Sequence, residues 1–141
     1  MCMDIKYLAG FFDGEGSISI IFRQYKNGAR GYQVLVQISN TNLSILEIFK
    51  EKFGGQIRPL KKMMSQYKQA WLWRIVSRQA LSFLEQIIPY LIIKTNQAIL
   101  AISFQKSLRP QGINTPIDAK ELGLRNDAII KMKLLNKGYY N

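Results

Sequence analysis

Hydrophobic and polar residues alternate along four short segments of the chain and recur with helical spacing along five others. In a strand, successive side chains point to opposite faces. Val34, Val36 and Ile38 therefore share one face of their segment, and Gln33 and Gln37 share the other. The alternation predicts strands at residues 17–25, 32–39, 56–64 and 67–77. The helical spacing predicts helices at residues 5–14, 42–53, 78–88, 95–107 and 117–137.

The order of these elements predicts the fold class. A helix precedes two strands, a second helix precedes two more, and helices follow. Asn27-Gly28 marks a tight turn within the first strand pair, and Gly54-Gly55 ends the second helix. Short connections favour hairpins, so we expect an α+β fold: an αββαββα core with an antiparallel β-saddle and extra C-terminal helices. Residues 1–141 would form one domain, with a core at about 5–105 and a helical tail at about 116–138.

The composition excludes several kinds of chemistry. The chain has no His and one Cys, Cys2. Histidine–metal nucleases, Ser-His-Asp hydrolases and cysteine-ligated zinc sites are therefore excluded. Catalysis would have to use carboxylates, Lys, Arg, Tyr, amides or a bound cation.

The charge favours a polyanionic partner. Lys and Arg number 20 against 9 Asp and Glu, a net charge of +11. Residues 16–46 and 52–84 contain no acid and together carry ten cations, and these two blocks coincide with the two predicted hairpins. Surfaces of a single sign fit phosphates, and a two-stranded ribbon fits a major groove. Double-stranded DNA is the predicted partner.

The N-terminal segment predicts no membrane partner. Asp4 precedes a short apolar run that does not resemble a signal peptide, and no apolar stretch is long enough for a bilayer span. We expect an intracellular protein of an organelle (mitochondrion or chloroplast) or of a prokaryotic cytoplasm, two locations that the sequence does not distinguish.

One segment points to a family. Residues 8–16, LAGFFDGEG, resemble the nonapeptide of the LAGLIDADG homing endonucleases, and six of nine positions match when Glu15 counts as the family's acid. The element order is similar to the family core, and Pro89 followed by Lys94 resembles a later family segment. The nonapeptide occurs once, as in the single-motif members that act as homodimers.

The resemblance implies an activity and a set of catalytic residues. The chain would be a site-specific, Mg²⁺-dependent endonuclease that cuts both strands of a long, near-palindromic DNA site and leaves 3′ overhangs; Mn²⁺ could replace Mg²⁺. Glu15 and the carbonyl of Gly14 would bind the metal, a hard cation that prefers oxygen ligands. Lys94 would stabilise charge on the scissile phosphate or activate water. Asn40 would either position water or cap the next helix, and Asp13 would be structural.

The glycines of the motif helix suggest how two chains would meet. Gly costs about 1 kcal/mol relative to Ala inside a helix, so two glycines four residues apart call for a reason. Close approach of a second helix provides one. The predicted dimer contacts are Leu8, Gly10, Phe11 and Gly14.

The predicted DNA contacts lie on the two hairpins. Arg and Gln suit bidentate contacts to bases, and Lys suits phosphates. From the first hairpin the candidates are Ser19, Arg23, Tyr25, Arg30, Gln33 and Gln37. From the second they are Arg58, Lys62, Lys68, Gln69, Trp71 and Trp73, although Trp more often belongs to a core.

Two alternative functions stay open at this stage. The same scaffold could serve as an intron-encoded RNA maturase, with intron RNA as the partner. It could also be a DNA-binding regulator that has lost catalysis, although the presence of Glu15 and Lys94 argues against this. The sequence does not give the target site, the host or the number of metal ions.

Overall fold

The computed structural model describes residues 4–24, 30–108 and 119–138, with the backbone alone at residues 23, 24 and 30. The helices are Ile5–Glu15 (α1), Leu43–Phe53 (α2), Ser77–Ile87 (α3), Thr95–Ser107 (α4) and Ala119–Asn136 (α5). The strands are Gly16–Gln24 (β1), Arg30–Asn40 (β2), Gln56–Pro59 (β3) and Trp71–Val76 (β4). A short 3₁₀ helix, Ile88–Tyr90, follows α3. The α+β fold class is confirmed.

The four strands form one antiparallel sheet in the order β1-β2-β4-β3. β1 pairs with β2 from Gly16 opposite Ile38 to Gln24 opposite Arg30. β2 pairs with β4 only from Leu35 onward. The first hairpin therefore extends beyond the four-stranded part of the sheet.

The helices cover one face of this sheet, because the apolar residues of every long strand point to that side. Ile18, Val36 and Trp73 are almost completely buried there. Aromatic contacts join the sheet to the helices: the ring centres of Trp73 and Phe49 lie 5.1 Å apart. The opposite side, which we call the saddle face, carries polar residues from all four strands. Its members are Ser17, Ser19, Gln37, Gln56, Arg58 and Arg74.

The second hairpin has shorter strands than predicted. β3 ends at Pro59, whose ring nitrogen has no hydrogen to donate to a ladder. Residues 60–70 form a loop that is closed by a 2.9 Å bond from the Leu60 N–H to the Ala70 carbonyl. The predicted strands at 56–64 and 67–77 are therefore wrong in their extent, because β-prone residues continue past the point where the ladder stops.

The tail forms α5, which lies against β1 and α4. Met132 and Leu135 are buried at this contact, while Lys131 and Lys133 are exposed. None of the helices in the described part of the chain combines the length and apolar character that crossing a bilayer requires.

Candidate functional site

The C-terminal end of α1 brings Gly14 and Glu15 to the surface. The helix ends at Glu15 and continues without a loop into β1 at Gly16. A Cβ at Gly16 would overlap the Phe12 ring, so only glycine permits this direct junction. Gly14 and Glu15 are both exposed there. The last carbonyls of a helix lack intrahelical partners, so this end presents several oxygen atoms.

The carboxylate of Asp13 ties α1 to the segment before α4. It is 6% exposed and accepts backbone N–H bonds from Ile92 (2.9 Å), Ile93 (2.9 and 3.0 Å) and Lys94 (2.8 Å). Burial alone would raise the pKa of Asp13, but these N–H groups and the charge of Lys94 together hold its pKa below the ordinary value. The carboxylate oxygens are thus occupied by backbone donors that hold the end of α1 to residues 92–94.

The side chain of Lys94 lies at the same end of α1. Its Nζ donates a 2.7 Å hydrogen bond to the backbone carbonyl of Asp13. A cation at the C-terminal end of a helix is favoured by the helix dipole. Lys94 is thus held one residue from Gly14 and two from Glu15 along α1, which brings together groups that are distant in sequence.

A cavity of about 420 Å³ opens beside Lys94. Its walls come from the start of β1, the start of α4 and the end of α5. The residues that line it include Ser17, Lys94, Gln97 and Asn136. The cavity leaves room beside the ammonium group for water or a phosphate oxygen.

Asn40 lies at the same end of the sheet as the start of β1. It is the last residue of β2, two positions beyond the Ile38–Gly16 pair. Its Oδ1 accepts a 2.8 Å bond from the backbone N–H of Asn42. Asn42, not Asn40, is the N-cap of α2. The carbonyl oxygen of the Asn40 amide thus shapes the strand–helix turn, and its role in positioning water stays a prediction.

The end of α1 carries two oxygen donors of the kind that Mg²⁺ prefers. Glu15 supplies a carboxylate and Gly14 a carbonyl, and both fit a hard cation. Among the residues described, no cluster of three His, Cys, Asp or Glu side chains could hold a metal. Within the described residues, the end of α1 thus offers a cation one carboxylate and one carbonyl from a single copy.

The surface of α1 next to this site is open and apolar. A Cβ at Gly10 or Gly14 would meet no atom within 4 Å. Tyr7 is 55% exposed, and Ile92 and Ile93 beside α1 are 87% and 68% exposed. Within its own chain, the described structure thus gives the two glycines no packing role that would offset their helix cost. Sequence patterns missed Tyr7, Ile92 and Ile93 as surface residues, because an apolar run does not show which side chains reach the core.

Two of the predicted dimer contacts on α1 have side chains that reach the core of their own chain. Leu8 is 0% exposed and belongs to the core of its own chain, so its prediction as a contact was wrong. Phe11 is half-buried, with its ring centre 5.9 Å from that of Phe49. Phe11 therefore has one side in the core and one side available to a partner. Gly10, Phe11 and Gly14 stay predicted contacts.

Polar residues cross the saddle face in a row. Ser17 lies opposite Gln37, which lies opposite Arg74, which lies opposite Gln56. A cavity of about 330 Å³ at the β3–β4 side of this face is lined in part by Gln56, Arg58 and Arg74. Amide and guanidinium groups spaced across one face of a sheet suit contacts to base edges and phosphates.

The first hairpin places only some of its predicted contacts on this face. Ser19 and Gln37 lie there and are half-buried. Gln33 points to the same side but is only 8% exposed, and the Ser77 hydroxyl lies 3.4 Å from its Oε1. Its predicted base contact is therefore wrong, because this side chain is enclosed. Tyr25 and the side chains of Arg23 and Arg30 lie outside the described residues.

In the second hairpin, most of the predicted polar contacts lie in the 60–70 loop and not on a strand. Arg58 lies exposed on the saddle face, whereas Lys62 and Lys68 are exposed in the 60–70 loop and not on a strand. The Gln69 amide donates to the Leu60 and Ala70 carbonyls at 2.7 and 2.8 Å, so it closes the loop.

The two predicted tryptophan contacts to DNA were wrong. Trp71 and Trp73 point to the helix side of the sheet, where Trp71 is half-buried and packs against the core. Trp73 is 0% exposed, and its indole N–H donates to the Gly54 carbonyl at 2.9 Å. Their size and apolar character suit the core between the sheet and α2.

Three saddle-face residues were missing from the predicted contacts: Ser17, Gln56 and Arg74. The period-2 rule contained the signal for Arg74. Ile75 and Trp73 share the core side of β4, so Arg74 between them has to point to the saddle face. Gln56 faces Arg74 across the sheet and could be placed only once the register was known.

Comparison with known proteins supplies the family. The LAGLIDADG endonuclease family model matches residues 8–107. No curated protein sequence matches the chain.

Several solved structures share the fold. The homing endonuclease I-CvuI, crystallised with the I-CreI target in 2 mM Mg with the DNA not cleaved, has a TM-score of 0.74 at 23% identity, over 93% of this chain and 80% of that one. The archaeal intron-encoded homing endonuclease I-Vdi141I, complexed with DNA, gives 0.58 at 19% identity, over 92% and 96% of the two chains. I-GzeII, in complex with its DNA target, gives 0.62 at 20% identity, over 94% of this chain but 44% of that one. At these identities the likeness shows the fold alone.

Proposed function

Because the chain belongs to the LAGLIDADG endonuclease family, we propose that it is a site-specific DNA endonuclease that acts as a homodimer with Mg²⁺. It would work in an intracellular compartment that holds its target DNA. The observation that carries the proposal is the end of α1, where exposed Glu15 lies beside a helix face left open by Gly10 and Gly14.

DNA would lie on the saddle face. The surface carries Arg and Gln side chains in register across three strands, within a chain of net charge +11. Arg and Gln can form paired hydrogen bonds with base edges in the major groove. Lysines of the 60–70 loop extend the positive surface toward phosphates. The solved structures of I-CvuI, I-Vdi141I and I-GzeII are each complexes with DNA, which supports this choice of partner.

The second copy would pack its α1 against the first. The open glycine face lets two backbones approach closely, and exposed Tyr7, Ile92 and Ile93 add apolar area beside it. A two-fold axis through this contact would place two copies of Glu15 near one another.

The metal site would be shared between the copies. Glu15 and the Gly14 carbonyl from each chain would hold Mg²⁺, which supplies charge that lowers the pKa of a water molecule and stabilises the leaving oxygen. Mn²⁺ as a substitute is part of the same proposal. Lys94, held at the Asp13 carbonyl, would neutralise charge on the scissile phosphate. The donor amide of Asn40 would orient water at the same end of the sheet.

The two-fold symmetry of the proposed dimer would also set the symmetry of the recognised DNA sequence. Two copies related by a two-fold axis present the same saddle in opposite directions along the duplex, so the recognised sequence would be near-palindromic. Two active ends at the dyad would cut both strands across the minor groove. The 3′ overhangs are carried over from the family resemblance.

A binding selection followed by cleavage tests the whole proposal. Purified chain is used to select duplexes from a randomised library, and the enriched site is incubated with the protein and Mg²⁺. We expect Mg²⁺-dependent cutting of both strands at one position and no cutting in EDTA. A structured RNA that displaces the DNA at equal concentration would favour the maturase alternative. Failure to enrich or cut any duplex would contradict the endonuclease proposal.

Gly10→Leu is expected to convert the dimer to monomer at micromolar concentration. The added side chain would stand in the space that a second α1 needs, whereas its Cβ would meet no described atom of its own chain within 4 Å. Sedimentation velocity measures the change. Gly123→Leu is the matched control, because Gly123 is also a helical glycine with open space around its Cβ position. A wild-type chain that is monomeric and still cuts both strands would refute the dimer.

Phosphate and base contacts are expected to differ in their response to salt. Lys62→Ala should weaken binding to all sequences alike and reduce the slope of log K against log salt by about 0.9 in each half-site. Gln37→Ala should instead relax preference at one base position per half-site, at a cost of about 1–3 kcal/mol. Fluorescence anisotropy across a salt series separates the two effects.

Lys50→Ala provides the control for this comparison. Lys50 is exposed on α2, on the helix side of the sheet. Lys50→Ala removes one positive charge, as Lys62→Ala does. It should nevertheless leave the slope of log K against log salt unaltered. Equal slopes for wild type and Lys62→Ala would mean that the 60–70 loop does not face the duplex.

A further inference from the structure

The outer half of the first hairpin has little support from the sheet. Among the described strands, residues 30–34 of β2 have β1 as their sheet neighbour and no other, because pairing with β4 starts at Leu35. Residues 20–24 of β1 lie at the sheet edge. A two-stranded ribbon alone is only marginally stable in water. Something else has to hold this ribbon if it is to present side chains at fixed positions.

Helix α5 contacts this ribbon through a buried arginine. Arg125 is 8% exposed; its Nη2 lies 2.8 Å from Oε1 of Glu121. Its guanidinium carbon lies 5.4 Å from the ring centre of Tyr32, which sits on the helix side of β2. The Tyr32 hydroxyl donates a 3.0 Å hydrogen bond to Oδ1 of Asn126. We call Arg125, Glu121, Asn126 and Tyr32 the α5 clasp.

The other end of α5 is attached near the start of the same edge strand. The Asn136 side-chain amide donates a 2.9 Å bond to the Ile18 carbonyl. From Asn126 to Asn136 the helix advances about 15 Å. From Phe22, which pairs with Tyr32, back to Ile18 the strand spans about 13 Å. The two lengths match, so α5 runs antiparallel to β1. The helix is attached to the hairpin at the α5 clasp and to the start of β1 at Asn136. We call a helix that supports the hairpin at both of these points a splint.

A buried arginine is a poor choice if stability is its only purpose. Removing a cation from water is costly, and an apolar side chain of similar size often gives equal or greater stability. A guanidinium over a ring, with a carboxylate at one side, fixes orientation more narrowly than an apolar contact does. The arrangement therefore favours a role for Arg125 in fixing the orientation of Tyr32 relative to α5.

We propose that α5 is a splint for the first hairpin and that Arg125 is a positioning residue that sets the hairpin's place on DNA through Tyr32. Tyr32 alternates along β2 with Gly31 and Gln33, and Gly31 pairs with Arg23. The clasp thus lies on the helix side of the ribbon, directly behind the backbone positions of Gly31 and Arg23. The DNA part of this inference rests on the proposed function, whereas the splint itself does not.

Hydrogen exchange of the free protein tests the splint without DNA. In Arg125→Met, amides of residues 20–24 and 30–34 are expected to exchange about tenfold faster, because the ribbon loses the contact between Arg125 and the Tyr32 ring. Amides of β4 should keep their rates, and the thermal midpoint should stay nearly unchanged. Lys131→Met is the matched control, since it removes a charge from an exposed position of the same helix. Unchanged ribbon exchange in Arg125→Met, or an equal increase in the control, would overturn the splint.

Base preference tests the positioning role. The base pairs read by the ribbon are first identified as those whose preference changes in Arg23→Ala. At these pairs, Arg125→Met is expected to lower discrimination about tenfold, while discrimination elsewhere and the salt slope stay as in wild type. Tyr32→Phe, which keeps the ring but loses the bond to Asn126, should give a smaller change at the same pairs.

The outcomes separate this inference from the proposed function. A wild-type chain that selects no DNA contradicts the endonuclease proposal, and the exchange experiment still decides whether α5 is a splint. A wild type that cuts DNA, with Arg125→Met showing the same preference as wild type at every base pair, overturns the positioning role. A uniform loss of affinity at all base pairs also overturns it, because that result describes a general loss of fold.

Discussion

Glu15→Gln is expected to lower the rate of DNA cleavage by about 1,000-fold or more while leaving DNA affinity within about twofold. The substitution keeps the size of the side chain and removes its negative charge. Glu15 is exposed at the end of α1 and has room to ligate a cation. Losing metal binding raises the energy of the transition state far more than that of the bound ground state, so the rate falls and the affinity does not.

Single-turnover cleavage and anisotropy with the selected duplex measure these two quantities separately. Glu47→Gln is the matched control, because Glu47 is an exposed acid on α2 and loses the same charge. We expect the control to cut at the wild-type rate. Cleavage at that rate by Glu15→Gln would remove Glu15 from the metal site, and a parallel loss of affinity would assign it to DNA binding instead.

Most of the fold could be predicted because the apolar pattern and the core agree. In β1 the alternation places Ile18 and Ile20 in the core, and the structure buries both. The extent of the second hairpin could not be predicted in the same way. Tyr67 and Gln69 are tolerated in a strand or a loop, and it is the missing N–H of Pro59 and the Leu60–Ala70 bond that decide where pairing stops.

The site was less accessible to sequence reasoning, because it depends on contacts between distant segments. The family resemblance suggested that Glu15 and Lys94 act together, but no spacing rule connects the end of α1 with the start of α4. The structure shows the connection: the Asp13 carboxylate binds backbone N–H groups at 92–94, and the Lys94 side chain reaches the Asp13 carbonyl. Leu8 failed as a dimer contact for a related reason. A helix that is apolar on most sides does not show in its sequence which side meets its own core.

The connection through Asp13 has a consequence for stability that pH can reveal. A carboxylate whose pKa is lowered in the folded protein stabilises the fold at pH values above its ordinary pKa of about 3.9. This stabilisation is lost as the pH falls from that value through the lower folded pKa, because the unfolded chain then binds the proton more readily. Burial raises the folded pKa of Asp13. The N–H groups of Ile93, Ile92 and Lys94 and the charge of Lys94 outweigh this effect and lower the pKa.

Asp13→Asn is therefore expected to reduce the free energy of unfolding at pH 7 by about 3 kcal/mol. The amide oxygen can accept only part of the N–H set that the carboxylate serves, and the amide nitrogen would face donors in a site that is 6% exposed. Denaturant unfolding from pH 7 to pH 3 measures the difference. The difference in the free energy of unfolding between wild type and variant should be constant down to about pH 4 and should narrow below that pH.

Asp127→Asn is the matched control, because Asp127 is an exposed acid on α5, and it should show no such gap at pH 7. A gap for Asp13→Asn that is absent at pH 7, or that does not narrow in acid, would mean that the Asp13 charge does not hold α1 to the segment bearing Lys94.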